Sequence, residues 1–238
     1  MARRPRNFVP GFPYHLTQRG NRKQNTFLDD TDRRVYFRLL AQYCAAQGVA
    51  IWAYCLMGNH VHHIAVPEKE RSLSLAFQRI HGEYARYFNA RHVKTGHLWQ
   101  GRFKACVLDE GHLWNAVRYV ERNPVRAGIA VSAEAYRWSS AAAHCGLRKD
   151  SILSPGLPFV NAISDWSGWL APEEKLEDVE FIRERTQSGR PCASDDFARM
   201  LEARLGRPML KRKTGPKKKT STEAAPIAPE VQKSLGFE

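Results

Sequence analysis

No run of residues in this chain approaches the roughly 20 apolar positions of a membrane-spanning helix, and the opening stretch Met1-Ala2-Arg3-Arg4-Pro5-Arg6 lacks the apolar core of a secretory signal. A soluble, cytoplasmic protein is therefore expected. Cysteine is sparse. Cys44, Cys55, Cys106, Cys145 and Cys192 are scattered without a C-x-x-C pair, which argues against a thiolate zinc site and against a disulfide framework. Acidic residues are also short, with 24 Asp and Glu against 37 Lys and Arg and a formal net charge of +13. Such an excess favours a polyanionic partner through release of condensed counterions, with nucleic acid first and an anionic lipid surface second.

At 238 residues the chain is long enough to bury a sizeable core. Alternation from Phe12 to Thr17 predicts a first strand, followed by a basic, turn-rich segment, Gln18 to Lys23. Thr31 is a suitable N-cap for a helix whose apolar positions are Val35, Leu39, Leu40 and Tyr43 and whose stop is Gly48. Val49 to Leu56 reads as a buried strand, and Gly58-Asn59 leaves room only for a hairpin before a strand from His60 to Val66. Leu73, Phe77, Ile80, Tyr84 and Phe88 trace a second helix beginning at Ser72, and Phe103 to Leu108 a further strand. Asp109 caps a third helix that Pro124 should stop near Asn123.

This order matches an α+β fold, a ferredoxin-like split βαβ antiparallel sheet with an added helix, in which the first and third strands lie side by side. That unit should occupy residues 1–150. Residues 151–206 read as a helical extension, with an acidic helix near Glu173 to Arg185 and another capped by Ser194 and ended by Gly206. Residues 207–238 form a basic tail with almost nothing to bury, expected to be disordered.

The most informative stretch is His60-Val61-His62-His63. Strand alternation sends His60 and His62 from one face and His63 from the other, so the first two imidazoles can converge on one metal ion. A polar, half-exposed strand face accounts for the same pattern equally well. Tyr119 and Asn123, four apart on the third helix, share one side and flank the stripe of Leu113, Val117 and Val120. A lone tyrosine there is also compatible with simple packing.

Tyr119-Val120-Glu121-Arg122-Asn123-Pro124-Val125-Arg126-Ala127-Gly128 resembles the tyrosine motif of the single-tyrosine HUH transposases, in particular the REP-associated tyrosine transposases. Tyr14 to Arg22, the HxH of His60 and His62, Leu98 to Phe103 and Tyr136 to Ser140 occur in that family's order, and the resemblance covers about the first 145 residues. Gly58 departs from it, standing where the family often has Pro, in a turn that accepts either. The resemblance implies that Tyr119 is the nucleophile and that His60, His62 and Asn123 hold a divalent metal, magnesium or manganese. It further implies cleavage of single-stranded or hairpin DNA through a 5′-phosphotyrosine link, with no membrane partner and a nucleoid-associated location.

DNA contacts are expected from the basic turn, Arg19, Arg22 and Lys23, since it leaves the end of a central strand in a strongly basic protein. Trp99 and Arg102 are further candidates, although Trp99 suits a core anchor as well as a base-stacking platform. Lys211, Arg212 and Lys213 should add salt-sensitive affinity from the tail. His15 has a place near the metal but no sequence argument for ligation. Two rival readings compete: an idle nucleic-acid-binding module on the same fold, and a zinc hydrolase, which lacks a nearby carboxylate and gives Tyr119 no role.

Overall fold

The computed structural model describes residues 8–158, 163–206 and 208–210. Its sheet has four strands, β1 (Tyr14–Arg19), β2 (Val49–Leu56), β3 (His60–Pro67) and β4 (Lys104–Val107), in the order β2-β3-β1-β4 with every neighbour antiparallel. β1 and β3 are therefore central, with Arg19 opposite His60 and Leu16 opposite His63. Two helices, α1 (Asp30–Gln47) and α2 (Ser72–Arg91), cover one face, and α3 (Glu110–Glu121) covers the other. This is the ferredoxin-like α+β architecture expected from the element order.

Alternation along β3 divides the core in two. Val61 and Ala65 join Leu16, Tyr36, Phe77, Tyr84 and Phe88 under α1 and α2, while Ile64 joins Cys55, Cys106, Val117 and Val120 under α3. Each large apolar side chain so buried contributes about 1.5–3 kcal/mol. His63 falls on the α1–α2 side, against Tyr36 and Phe77, as its register requires.

Several boundaries differ from the sequence-based expectations. The first strand runs Tyr14–Arg19, two residues later than expected, because Pro10 and Gly11 form a turn before it. α1 is capped by Asp29 and not Thr31: the Asp29 carboxylate accepts from the N–H groups of both Thr31 and Asp32, which places Thr31 in the first turn. α3 ends at Glu121 and is followed at once by a short α4 (Asn123–Arg126). Pro124 sits in the opening turn of α4, where its missing N–H is no loss, so the chain turns on without a break between Tyr119 and Asn123.

Short helices α5 (Ala141–His144) and α6 (Trp166–Leu170), for which periodicity gave no sign, precede α7 (Leu176–Ser188) and α8 (Asp195–Leu205). The C-terminal helices are continuous with the core. Trp166, Leu170, Val179 and Ile182 pack into the α3-side cluster, Leu201 into the other, and the Cys192 N–H donates to the Val107 carbonyl at the edge of β4. The expectation of a disordered tail, including Lys211, Arg212 and Lys213, lies outside the described residues.

Candidate active site

The α3 face of β1 and β3 carries a row of imidazoles because strand register leaves no alternative. His15 pairs with Ile64 and is therefore diagonal to His62, and His60 lies two residues before His62 on the same side. The His60 and His62 ring centroids are 5.0 Å apart with planes at 82°. His15 and His62 lie parallel within 6°, joined by a 2.8 Å hydrogen bond between His15 Nε2 and His62 Nδ1. Thr186, on α7, sits 2.8 Å from the other nitrogen of His15.

Tyr119 projects from α3 into this row, its ring edge-on to His15 and His62 at 5.6 Å from each. The Arg126 guanidinium lies over the phenol ring, 4.2 Å from its centroid, and also donates to the Tyr119 carbonyl. Arg126 is held in turn by Glu174, at 2.6 Å. The phenol ring is thus held by two imidazoles and a guanidinium, while its hydroxyl makes no hydrogen bond among the described residues. Asn123 is 7% exposed, and its buried amide nitrogen has no hydrogen-bond partner among them.

Burial disfavours a charged imidazole throughout the row. It lowers His15 and His60 to about 3, with nearby Arg126 adding repulsion in both cases, and holds His62 well below the ordinary value. Neutral rings are the state in which a nitrogen lone pair can bind a metal. His60 Nδ1 faces the Asn59 side-chain oxygen at 2.6 Å, and both Nε2 atoms carry no hydrogen bond among the described residues. Two free imidazole nitrogens and the oxygen of the Asn123 amide line the same cleft and could hold a cation as a three-donor set with positions left open, which suits a catalytic site better than a closed structural one. Asn123 is essential to that set, because no group of three His, Cys, Asp or Glu among the described residues is placed to hold an ion.

The row opens into a cleft of about 1000 Å³ lined by His60, His62, Tyr119 and Asn123 together with Arg19, Lys23, Arg102, Lys104 and Arg183. No carboxylate is among its described lining residues. Arg22 is exposed on the same turn as Lys23, both at positive φ, and that turn is tied to the β2–β3 hairpin by the Gly20 N–H donating to the Asn59 carbonyl. Trp99 is placed differently from its neighbours in sequence. Its indole is buried against His81 and Tyr84 and donates to the His81 carbonyl at 2.9 Å, so it anchors the loop to the core and is not open for stacking on a base.

A sequence profile described as "Transposase IS200 like" matches residues 8–123, the stretch that runs from the first core residue through Tyr119 to Asn123. Over that stretch the chain is similar to the IS200-like transposases. A solved structure of a REP-associated tyrosine transposase bound to a REP hairpin shares its fold, with a TM-score of 0.51, 16% identity, and coverage of 66% of this chain and 99% of that one. A putative transposase from Deinococcus radiodurans is similar at 18% identity over 51% of this chain and 97% of that one, with a TM-score of 0.37. Among curated proteins no sequence matches.

Sequence reasoning did not reach several residues around this site. Arg126 had a usable signal, since it follows Tyr119 by two helical turns and shares its side. Asn59 was visible only as a turn residue. Thr186 and Glu174 carried no local signal at all, because they reach the site from α7 and from the loop before it, 171 residues from His15 and 48 from Arg126.

Proposed function

We propose that this protein is a transposase, a metal-dependent, site-specific single-stranded DNA endonuclease and strand transferase acting at hairpin-containing DNA through a 5′-phosphotyrosine intermediate. The observation that carries the reading is the meeting of Tyr119, His60, His62 and Asn123 in one basic cleft with no carboxylate among its described lining residues. The Tyr119 oxygen forms the new bond to phosphorus, the phenol gives up its proton, and the bond to the 3′ oxygen breaks, leaving a free 3′-hydroxyl. Attack of a 3′-hydroxyl on the phosphotyrosine reverses these changes, so strands rejoin without ATP. His60, His62 and Asn123 hold magnesium or manganese, a choice favoured by the amide and phosphate oxygens. When bound, the cation neutralises charge on the non-bridging oxygens of the phosphate.

The protein's own residues do the rest. His15, His62 and Arg126 keep the phenol ring in place, and Arg19, Arg22, Lys23 and Arg102, with Lys104 and Arg183, track the DNA backbone. We assign residues 1–150 to the nuclease unit, 151–206 to a helical extension, and 207–238 to a basic tail whose Lys211, Arg212 and Lys213 add sequence-independent affinity. Its place of action is the cytoplasm, at the nucleoid.

The test is incubation with labelled single-stranded hairpin DNA and Mn²⁺, followed by denaturing electrophoresis. A slower-migrating covalent species is expected from the unaltered protein and none from Tyr119→Phe. An adduct that survives Tyr119→Phe moves the nucleophile elsewhere. Cut products without any adduct indicate a hydrolase, and a purely reversible complex an idle binding module.

A further inference from the structure

Both β3 imidazoles that line the cleft have Nδ1 engaged, and each of those hydrogen bonds belongs to a chain that ends on a main-chain carbonyl. A carbonyl only accepts, so each chain runs in one direction. At His60, the Asn59 Nδ2 donates to the Lys23 carbonyl at 3.1 Å, which turns the Asn59 oxygen toward His60 Nδ1. That oxygen has no hydrogen to give. His60 therefore carries its proton on Nδ1, and its Nε2 is a bare lone pair.

At His62 the chain is longer. Thr186 spends its single hydroxyl hydrogen on the Ile182 carbonyl, 2.7 Å away and one turn back on α7. Its oxygen must then accept from His15 Nδ1 at 2.8 Å. The Cys106 thiol, 3.3 Å from the same oxygen, becomes a second donor and leaves the direction unchanged. With its proton on Nδ1, the neutral His15 ring only accepts at Nε2, so His62 Nδ1 donates to it across 2.8 Å. His62 Nε2 is left bare as well.

We propose that Asn59 and the Thr186–His15 pair are positioning residues that fix both imidazoles in the Nδ1–H tautomer before any ion arrives, presenting two Nε2 lone pairs to a divalent cation. The inference rests on the metal reading above and adds the groups that decide which nitrogen ligates. Metal-binding histidines commonly donate their second ring N–H to a carbonyl or carboxylate. Here an amide and a second imidazole take that place. The longer chain makes α7 part of the site, since Thr186 lies 171 residues from His15 in sequence. In the opposite tautomer, His62 would aim a proton at the cation and could not bind it.

Long-range ¹H–¹⁵N correlation spectra of the metal-free, full-length protein read the tautomer of each ring directly, with His60→Ala and His62→Ala supplying assignments, and Mn²⁺ titration followed by electron paramagnetic resonance reads affinity. Both rings are expected to show protonated Nδ1. Thr186→Val should mix the His62 tautomers and weaken Mn²⁺ binding about 10–100-fold, and Thr186→Ser should restore both. Asn59→Leu should do to His60 what Thr186→Val does to His62. A proton on Nε2 of either ring in the unaltered protein overturns the proposal without recourse to any variant, as does Thr186→Val with tautomer and affinity unchanged. If Mn²⁺ fails to bind the unaltered protein while both rings carry Nδ1–H, the metal reading of the cleft falls and the tautomer assignment stands.

Discussion

Tyr119 is held by its surroundings, with two imidazoles roughly perpendicular to its ring and a guanidinium over it. Cation–π contacts of this kind are worth about 0.5–2 kcal/mol. If that energy holds the phenol in its attacking position, Arg126→Gln should slow adduct formation by about two- to thirty-fold while leaving DNA affinity largely intact. An unchanged single-turnover rate would show the stacking to be incidental. His63, on the far side of the sheet, has a different consequence. Burial, with His81 nearby, holds it well below the ordinary imidazole value. Below pH ~6.5 the unfolded chain takes up a proton at this ring that the folded chain refuses, so stability falls as pH drops and is flat above. Comparing urea unfolding at pH 7 and pH 5, His63→Leu should reduce that loss by about 2 kcal/mol. Equal pH sensitivity in the two proteins would contradict the assignment.

Among the elements, helix ends do much of the positioning. Gly48 closes α1 at φ +61°, and a Cβ there would run into Glu68, so the entry to β2 depends on glycine. Asp109 serves two elements at once. One oxygen caps α3 through the His112 N–H at 2.9 Å, and the other accepts from the Ser194 N–H at 2.7 Å, at the start of α8. Asp109→Ala should therefore cost about 1–2 kcal/mol, more than a simple cap of ~1 kcal/mol, with Asp109→Asn intermediate. Denaturant midpoints check it, and a loss no greater than that of an ordinary cap would mean the Ser194 bond contributes little. The α3–α4 junction shows why the boundary near Pro124 was legible but its consequence was not. Proline forbids continuation of the same hydrogen-bond ladder, yet it opens the next turn readily, so Asn123 keeps its position beside Tyr119.

For the whole molecule, the basic excess of the sequence becomes a cleft. Arg19, Lys23, Arg102 and Lys104 come from the sheet side and Arg183 from α7, all around the same opening. Binding to single-stranded DNA should weaken steeply with salt. Arg183→Gln should lower the slope of log affinity against log salt by about 0.7, the value of one released phosphate contact, without altering which sequences are preferred. A slope identical to that of the unaltered protein would remove α7 from the DNA path. The packing of Trp166, Val179 and Ile182 into the α3-side cluster gives α6, α7 and the loop between them a second task, since this segment carries Glu174 and Thr186 to the residues that hold Tyr119 and His62.

Local pattern alone determined the order of the four strands and of α1 to α3, the central pairing of β1 with β3, and the separation of His60 and His62 from His63, because side-chain direction in a strand follows strictly from alternation. It also placed Tyr119 beside Asn123, since helical spacing is equally strict. Only the tertiary structure decided that Trp99 is an anchor, that His15 bonds His62, and that Glu174 and Thr186 complete the site. Those contacts join residues tens to more than a hundred positions apart, and no periodicity of a single element encodes which distant helix will be packed against it.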